Sequence, residues 1–134
     1  MIGVLLVTNG EIGTALLTSA SQILGGAPQQ VVTLSVWRQD DPDDLVLRAT
    51  ELLEQIDAGD GVLVLTDIFG ATPGNVVSRL LDDGHIEGVS GVSLPMLLRV
   101  LTARNGSLAG AVKRAMSGGA EGVVHMNSDR CLDA

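Results

Sequence analysis

Three polar loops in this chain carry the residue types best suited to holding a phosphoryl group. They are Thr8-Asn9-Gly10, Asp67-Ile68-Phe69-Gly70-Ala71-Thr72-Pro73 and Ser93-Leu94-Pro95-Met96. Each follows an apolar run and opens a stretch of helical period. Unpaired backbone N–H groups and the positive end of a helix dipole are therefore expected around each loop, an arrangement that attracts anions. Asp67 ends a continuous apolar run, where a desolvated carboxylate without a partner is costly, so it requires a donor or water. Asn9 is a candidate donor, and both are expected to share one polar pocket with Thr72. Helix capping alone would account for Asn9, Asp67 or Thr72 taken singly. Nucleotide signatures are missing, with no GxxxxGK[ST] loop and no GxGxxG after the first apolar run. A receiver-type phosphoacceptor aspartate also fits poorly, because the first loop has no acidic pair for a metal and no lysine follows the fifth strand.

Positioning these loops requires strands and helices in alternation. Ile2–Val7, Val31–Val36 and Gly61–Thr66 read as strands, a weaker one runs from about Ile86 to Val92, and Gly122–Met126 reads as a last one. The third is unbroken in its apolar character, as expected of a central strand covered on both faces. Between them, Ile12, Leu16, Ser19, Ala20 and Ile23 form a helical stripe that ends at Gly25-Gly26. Asp41 followed by Pro42 starts a second helix with the stripe Leu45, Ala49, Leu52, Leu53 and Ile56, which Gly59 stops. Val76, Val77, Leu80 and Leu81 mark a third, Leu97, Leu98 and Leu101 a fourth, and Leu108, Val112, Ala115 and Met116 a fifth. The pattern predicts an α/β fold, an open and mostly parallel sheet with helices on both faces. In such sheets ligands bind beyond the carboxyl ends of the strands, where the strand order reverses. There is no internal repeat or linker, and residues 1–126 are expected to be one domain followed by a polar tail, 127–134.

The chain has 134 residues, enough for one domain that buries roughly two thirds of its unfolded surface. Eight basic against 16 acidic residues give a net charge of -8, which disfavours nucleic acid and favours a basic protein partner or plain solubility. The single cysteine, Cys131, forms no intramolecular disulfide, and a reducing, cytoplasmic compartment is the simplest expectation. Ile2–Val7 is too short to span a membrane and lacks the flanks of a signal peptide. No cofactor or metal site is expected.

Three segments, Ile2–Gly10, Val64–Pro73 and Gly91–Leu97, resemble the signature segments of the mannose-type IIA family of the sugar phosphotransferase system, in order and at the expected separations. The resemblance implies a phosphocarrier that takes a phosphoryl group on a histidine from the carrier HPr and passes it to a IIB component. It implies a homodimer whose last strand crosses to the other subunit and pairs antiparallel. It also implies a cytoplasmic protein associating with a membrane sugar permease complex. Asp67 matches the aspartate that orients the family's histidine, and Thr72 its nearby hydroxyl. Thr8, Gly10, Phe69, Gly70, Pro73 and Ser93 match the loops around the phosphate. The acceptor position falls on Asn9. An amide nitrogen has no lone pair free to attack phosphorus, so a chain with Asn9 is expected to keep the geometry and lose phosphoryl transfer. A non-catalytic binding module on the same fold is the alternative.

Neither remaining histidine is a substitute. His85 lies in a polar turn and His125 in the last apolar run, where a strand or interface role is expected. Trp37-Arg38, after the second strand, suits either a contact hot spot or a cover for the sheet edge.

Overall fold

The computed structural model of the chain describes residues 1–129. Along it run β1 (Gly3–Asn9), α1 (Ile12–Leu24), β2 (Val31–Val36), α2 (Pro42–Ile56) and β3 (Val62–Thr66), then α3 (Thr72–Leu80), β4 (Ile86–Val89), α4 (Leu94–Leu101), α5 (Leu108–Glu121) and α6 (Met126–Asp129). The four strands form one parallel sheet in the order β2-β1-β3-β4. From β1 the chain moves outward to β2, then returns past β1 to β3 and β4. The order therefore reverses between β1 and β3, and this is where a parallel sheet opens a crevice at its carboxyl edge.

Side-chain alternation along the two central strands divides the core in two. Val4 and Leu6 of β1, with Leu63 and Leu65 of β3, pack under α1, α4 and α5. Leu5 and Val7, with Val62 and Val64, pack under α2 and α3. These eight side chains are fully buried, and each Leu or Val contributes about 1.5–3 kcal/mol relative to an exposed position. Residues that cannot face water on either side read as a continuous apolar run rather than an alternation, as the third strand does in the sequence.

Helix boundaries follow local chemistry. The Asp41 side chain accepts from the Asp43 backbone N–H at 3.1 Å, with Pro42 opening α2. Gly25 closes α1 in the left-handed conformation, its N–H bonded to the Ser21 carbonyl. Leu45, Ala49, Leu53 and Ile56 are buried as the stripe of α2 requires. The stripe of α1 differs, because Ile12 and Ile23 are exposed and the buried residues are Gly13 and Ala20. In α5, likewise, Met116 is exposed and Gly118 is buried against Arg99 of α4. Helix pairs that approach closely bury small residues, which a search for large apolar ones passes over.

The final strand expected at Gly122–Met126 is not formed. Residues 122–125 have no regular structure, Met126–Asp129 is a single helical turn, and the sheet among the described residues contains no antiparallel strand. Val123 and Val124 are 84% and 51% exposed, so this apolar run meets no strand edge of its own chain. A strand without a neighbour leaves its backbone groups unpaired and does not persist. His125 is correspondingly exposed, with Nδ1 2.8 Å from the Ser128 hydroxyl, rather than inside a strand. Of the expected tail, residues 130–134, Cys131 included, lie outside the described residues. No described helix is long and apolar enough to cross a membrane.

Candidate functional site

Asn9 is the last residue of β1 and Asp67 the first after β3, so the reversal of strand order brings them together. Asn9 Nδ2 donates to Asp67 Oδ2 at 3.0 Å, and the Asn9 backbone N–H donates to the same oxygen at 3.1 Å. The Thr66 hydroxyl lies 3.4 Å from Oδ1. A carboxylate has no hydrogen to give, so the amide must present its NH2 to Asp67 and retain only its carbonyl oxygen for any other contact. Neither side chain caps a helix. The residues preceding α1 and α3 are Glu11 and Ala71, and neither supplies a side-chain cap.

Thr8 has a different place from the one its neighbours suggest. Its side chain is buried and its Oγ1 accepts from the Gly13 N–H at 2.7 Å, anchoring the first turn of α1 to the end of β1. A Cβ on Gly13 would lie 2.9 Å from that oxygen, so the close approach needs glycine. Gly10 turns the chain with φ of 51° and donates to the Val36 carbonyl at 2.8 Å. A methyl group there would come 3.4 Å from the Trp37 ring, which packs beside the turn while remaining 47% exposed.

A cleft of about 430 Å³ opens beside Asn9, lined also by Val36, Trp37, Arg38, Asp40 and Thr72. Thr72 and Asn9 thus share one polar cleft, whereas Asp67, expected in the same pocket, does not line it and is joined to it through its hydrogen bonds with Asn9. Pro73 is buried in the first turn of α3, and Gly70 has φ of 91°. Among the described residues no side chain caps α3, and with Pro73 lacking an N–H the Thr72 and Gly74 N–H groups are the free donors of its first turn, the kind of helix start that favours an anion. Phe69, 80% exposed, projects beside a separate small groove with Val77 and Leu81.

Ser93 does not line this cleft. Its hydroxyl accepts from the Met96 N–H at 3.3 Å as the cap of α4, and its loop is tied to β3 by the Val92 N–H donating to the Thr66 carbonyl at 3.0 Å. The third loop lining the cleft is the one after β2, with Arg38 and Asp40. Trp37-Arg38 stood out in the sequence by residue type, but Asp40 carried no signal there. Asp40 accepts from the Trp37 N–H at 2.8 Å and so holds the loop in shape. His85 lies at the start of β4, remote from this edge, with Nε2 2.6 Å from Asp57 Oδ2. Among the described residues there is no cluster of His, Cys, Asp and Glu able to hold a metal.

The profile of the family EIIA-man, described as the PTS system fructose IIA component, matches residues 3–117. The mannose-specific EIIAB component of the phosphotransferase system in Escherichia coli K12 is 32% identical over 125 residues, which are 91% of this chain. This chain spans only 38% of that relative's length. The fructose-specific EIIA component of Bacillus subtilis is 30% identical over 105 residues, covering 78% of this chain and 71% of that protein. Among solved structures, phosphotransferase system component EIIA from Streptococcus agalactiae superposes with a TM-score of 0.84 at 26% identity, covering 96% of this chain and 99% of that one.

Proposed function

The chain belongs to the mannose/fructose-type IIA family of the sugar phosphotransferase system, and on that premise we propose that it is a IIA-type domain unable to carry the phosphoryl group itself. In this reading position 9 is the acceptor position of the family. It docks an HPr-like carrier and a IIB component in the cytoplasm, close to a membrane sugar permease, as a regulatory module. The observation that carries the reading is the bond from Asn9 Nδ2 to Asp67 Oδ2. It occupies the carboxylate that would otherwise orient an imidazole, and it leaves Asn9 with a carbonyl oxygen, a poor nucleophile toward phosphorus. Docking without transfer is supported by Trp37 and Phe69, aromatic side chains exposed on the loops at this edge.

We also propose a homodimer. Met116 of α5, and Val123, Val124 and Met126 of the last described segment, are all more than half exposed in the single chain.

The test of the site is Asn9→His. Strand end, turn and helix N-terminus stay as they are, so only the nucleophilic nitrogen is added. Exposed to phosphorylated HPr, the Asn9→His protein should gain one acid-labile phosphate by intact mass, while the unaltered chain gains none. A bona fide IIA control that is phosphorylated while Asn9→His is not would remove position 9 from the acceptor role.

A further inference from the structure

At the opposite edge of the sheet, Arg104 follows α4 and is only 6% exposed. Its Nη1 donates to the Gln29 carbonyl at 2.6 Å and lies 3.3 Å from the Ile2 carbonyl, while its own carbonyl accepts from the Ile2 N–H at 3.0 Å. Among the described residues the Arg104 Nε hydrogen has no acceptor and no carboxylate pairs with the guanidinium. Two backbone carbonyls could be bridged by a neutral amide side chain. Burying a full positive charge without a counter-charge costs several kcal/mol, a penalty that evolved interiors normally offset with an anion. Arg104 lines a cavity of about 290 Å³ together with Thr102, Asn105, Gly106 and Arg114. Arg114, from the second turn of α5, likewise makes no ion pair with a described residue. Two guanidinium groups without an ion-pair partner among the described residues therefore line one concave space on a molecule whose net charge is -8.

We propose that the cavity between the α4–α5 loop and Arg114 binds a small oxyanion, inorganic phosphate or a small phosphate monoester, between the guanidinium groups of Arg104 and Arg114. Arginine presents paired N–H donors that match the oxygens of a phosphate, and such charge-assisted bonds are the strong ones. The cavity has room for the anion with a small organic body, which is why a monoester is included. It lies where β1 and β2 begin, whereas Asn9 ends β1, so the proposal is independent of the reading of the Asn9 site.

The experiment is a titration of the whole chain, at constant ionic strength in a chloride background, with inorganic phosphate in one arm and glycerol 3-phosphate in the other. It is followed by NMR at the backbone amides of Asn105 and Gly106 and at the Arg104 Nε–H. Saturable shifts of these three signals with either ligand are expected. Arg114→Ala, altering a surface side chain, should weaken that binding at least about tenfold while the rest of the spectrum stays folded. Arg104→Met should likewise weaken the shifts at Asn105 and Gly106, and unchanged affinity in that variant would count against the proposal. Shifts confined to the loops at residues 8–13 and 67–74, no shifts in either arm, or equal affinity in Arg114→Ala would each overturn the proposal.

Discussion

At the residue scale, one oxygen of Asp67 receives two hydrogens from Asn9, and the choice of side chain at position 9 decides what the pair can do. An imidazole there would donate one ring N–H to Asp67 and leave its other nitrogen with an in-plane lone pair. An amide makes the same donation and has no second nitrogen. The carboxylate would then fix the imidazole tautomer and stabilise positive charge on the ring as phosphorus is attacked. In the Asn9→His background, Asp67→Ala is expected to slow phosphorylation by about 10²–10⁴-fold, the range for losing the partner of a catalytic imidazole. Rapid-quench time courses with phosphorylated HPr measure it, and a rate within a factor of two of the Asp67 protein would deny Asp67 that role. A slow residual reaction is expected, since the N-terminus of α3 is untouched. Asp67 was legible in the sequence because a carboxylate ending an apolar run demands a partner. The part of Arg38 and Asp40 in the cleft was not, because the approach of the β2 loop to Asn9 follows from the position of β2 beside β1, which local spacing does not record.

Between elements, the clearest electrostatic joint lies where α2 ends. Asp57 follows the last turn of α2 and accepts from the Gly59 N–H at 2.8 Å and from His85 Nε2 at 2.6 Å, linking the α2–β3 loop to the start of β4. The Gly59 hydrogen bond chiefly, and His85 to a lesser extent, hold the Asp57 carboxyl below its ordinary value of 3.8 against the opposing effect of burial. A carboxylate whose pKa falls on folding stabilises the fold above its unfolded pKa, and that contribution is lost as pH drops through the lower folded value. Asp57→Asn should therefore lower Tm at pH 7, modestly because the group is partly exposed and solvent screens its interactions. The gap from the wild type should close as the pH falls below 3.8. His85→Gln should retain much of the effect, since the larger cause is the Gly59 bond. Calorimetry across pH 2.5–8 checks both, and a gap that widens toward acid contradicts the assignment. Elements with strong local signals, such as α2 with its cap and buried stripe, could be read from the sequence alone. The segment 122–126 could not, because an apolar run becomes a strand only through a partner that lies outside it.

On the scale of the whole molecule, the parallel sheet leaves β2 and β4 as edges, and β4 is only four residues long. Unpaired edges and clustered apolar side chains favour association unless they are covered. α5 and the last described segment expose apolar side chains of this kind. Val123 and Met126 are 84% and 77% exposed, and Val124 and Met116 are also mostly exposed. Their exposure also means that they contribute little to the stability of the single chain, so charged substitutions there separate assembly from folding. The prediction is that the chain is a dimer by light scattering at micromolar concentration. The double substitution Val123→Glu and Val124→Glu should give a monomer with an unchanged far-ultraviolet circular dichroism spectrum. Dimerisation would bury side chains that now meet water, so the wild-type Tm should rise with protein concentration while that of the double variant stays constant. A monomeric wild type would argue against the proposed assembly, and a double variant that stays dimeric would place the interface away from the last described segment.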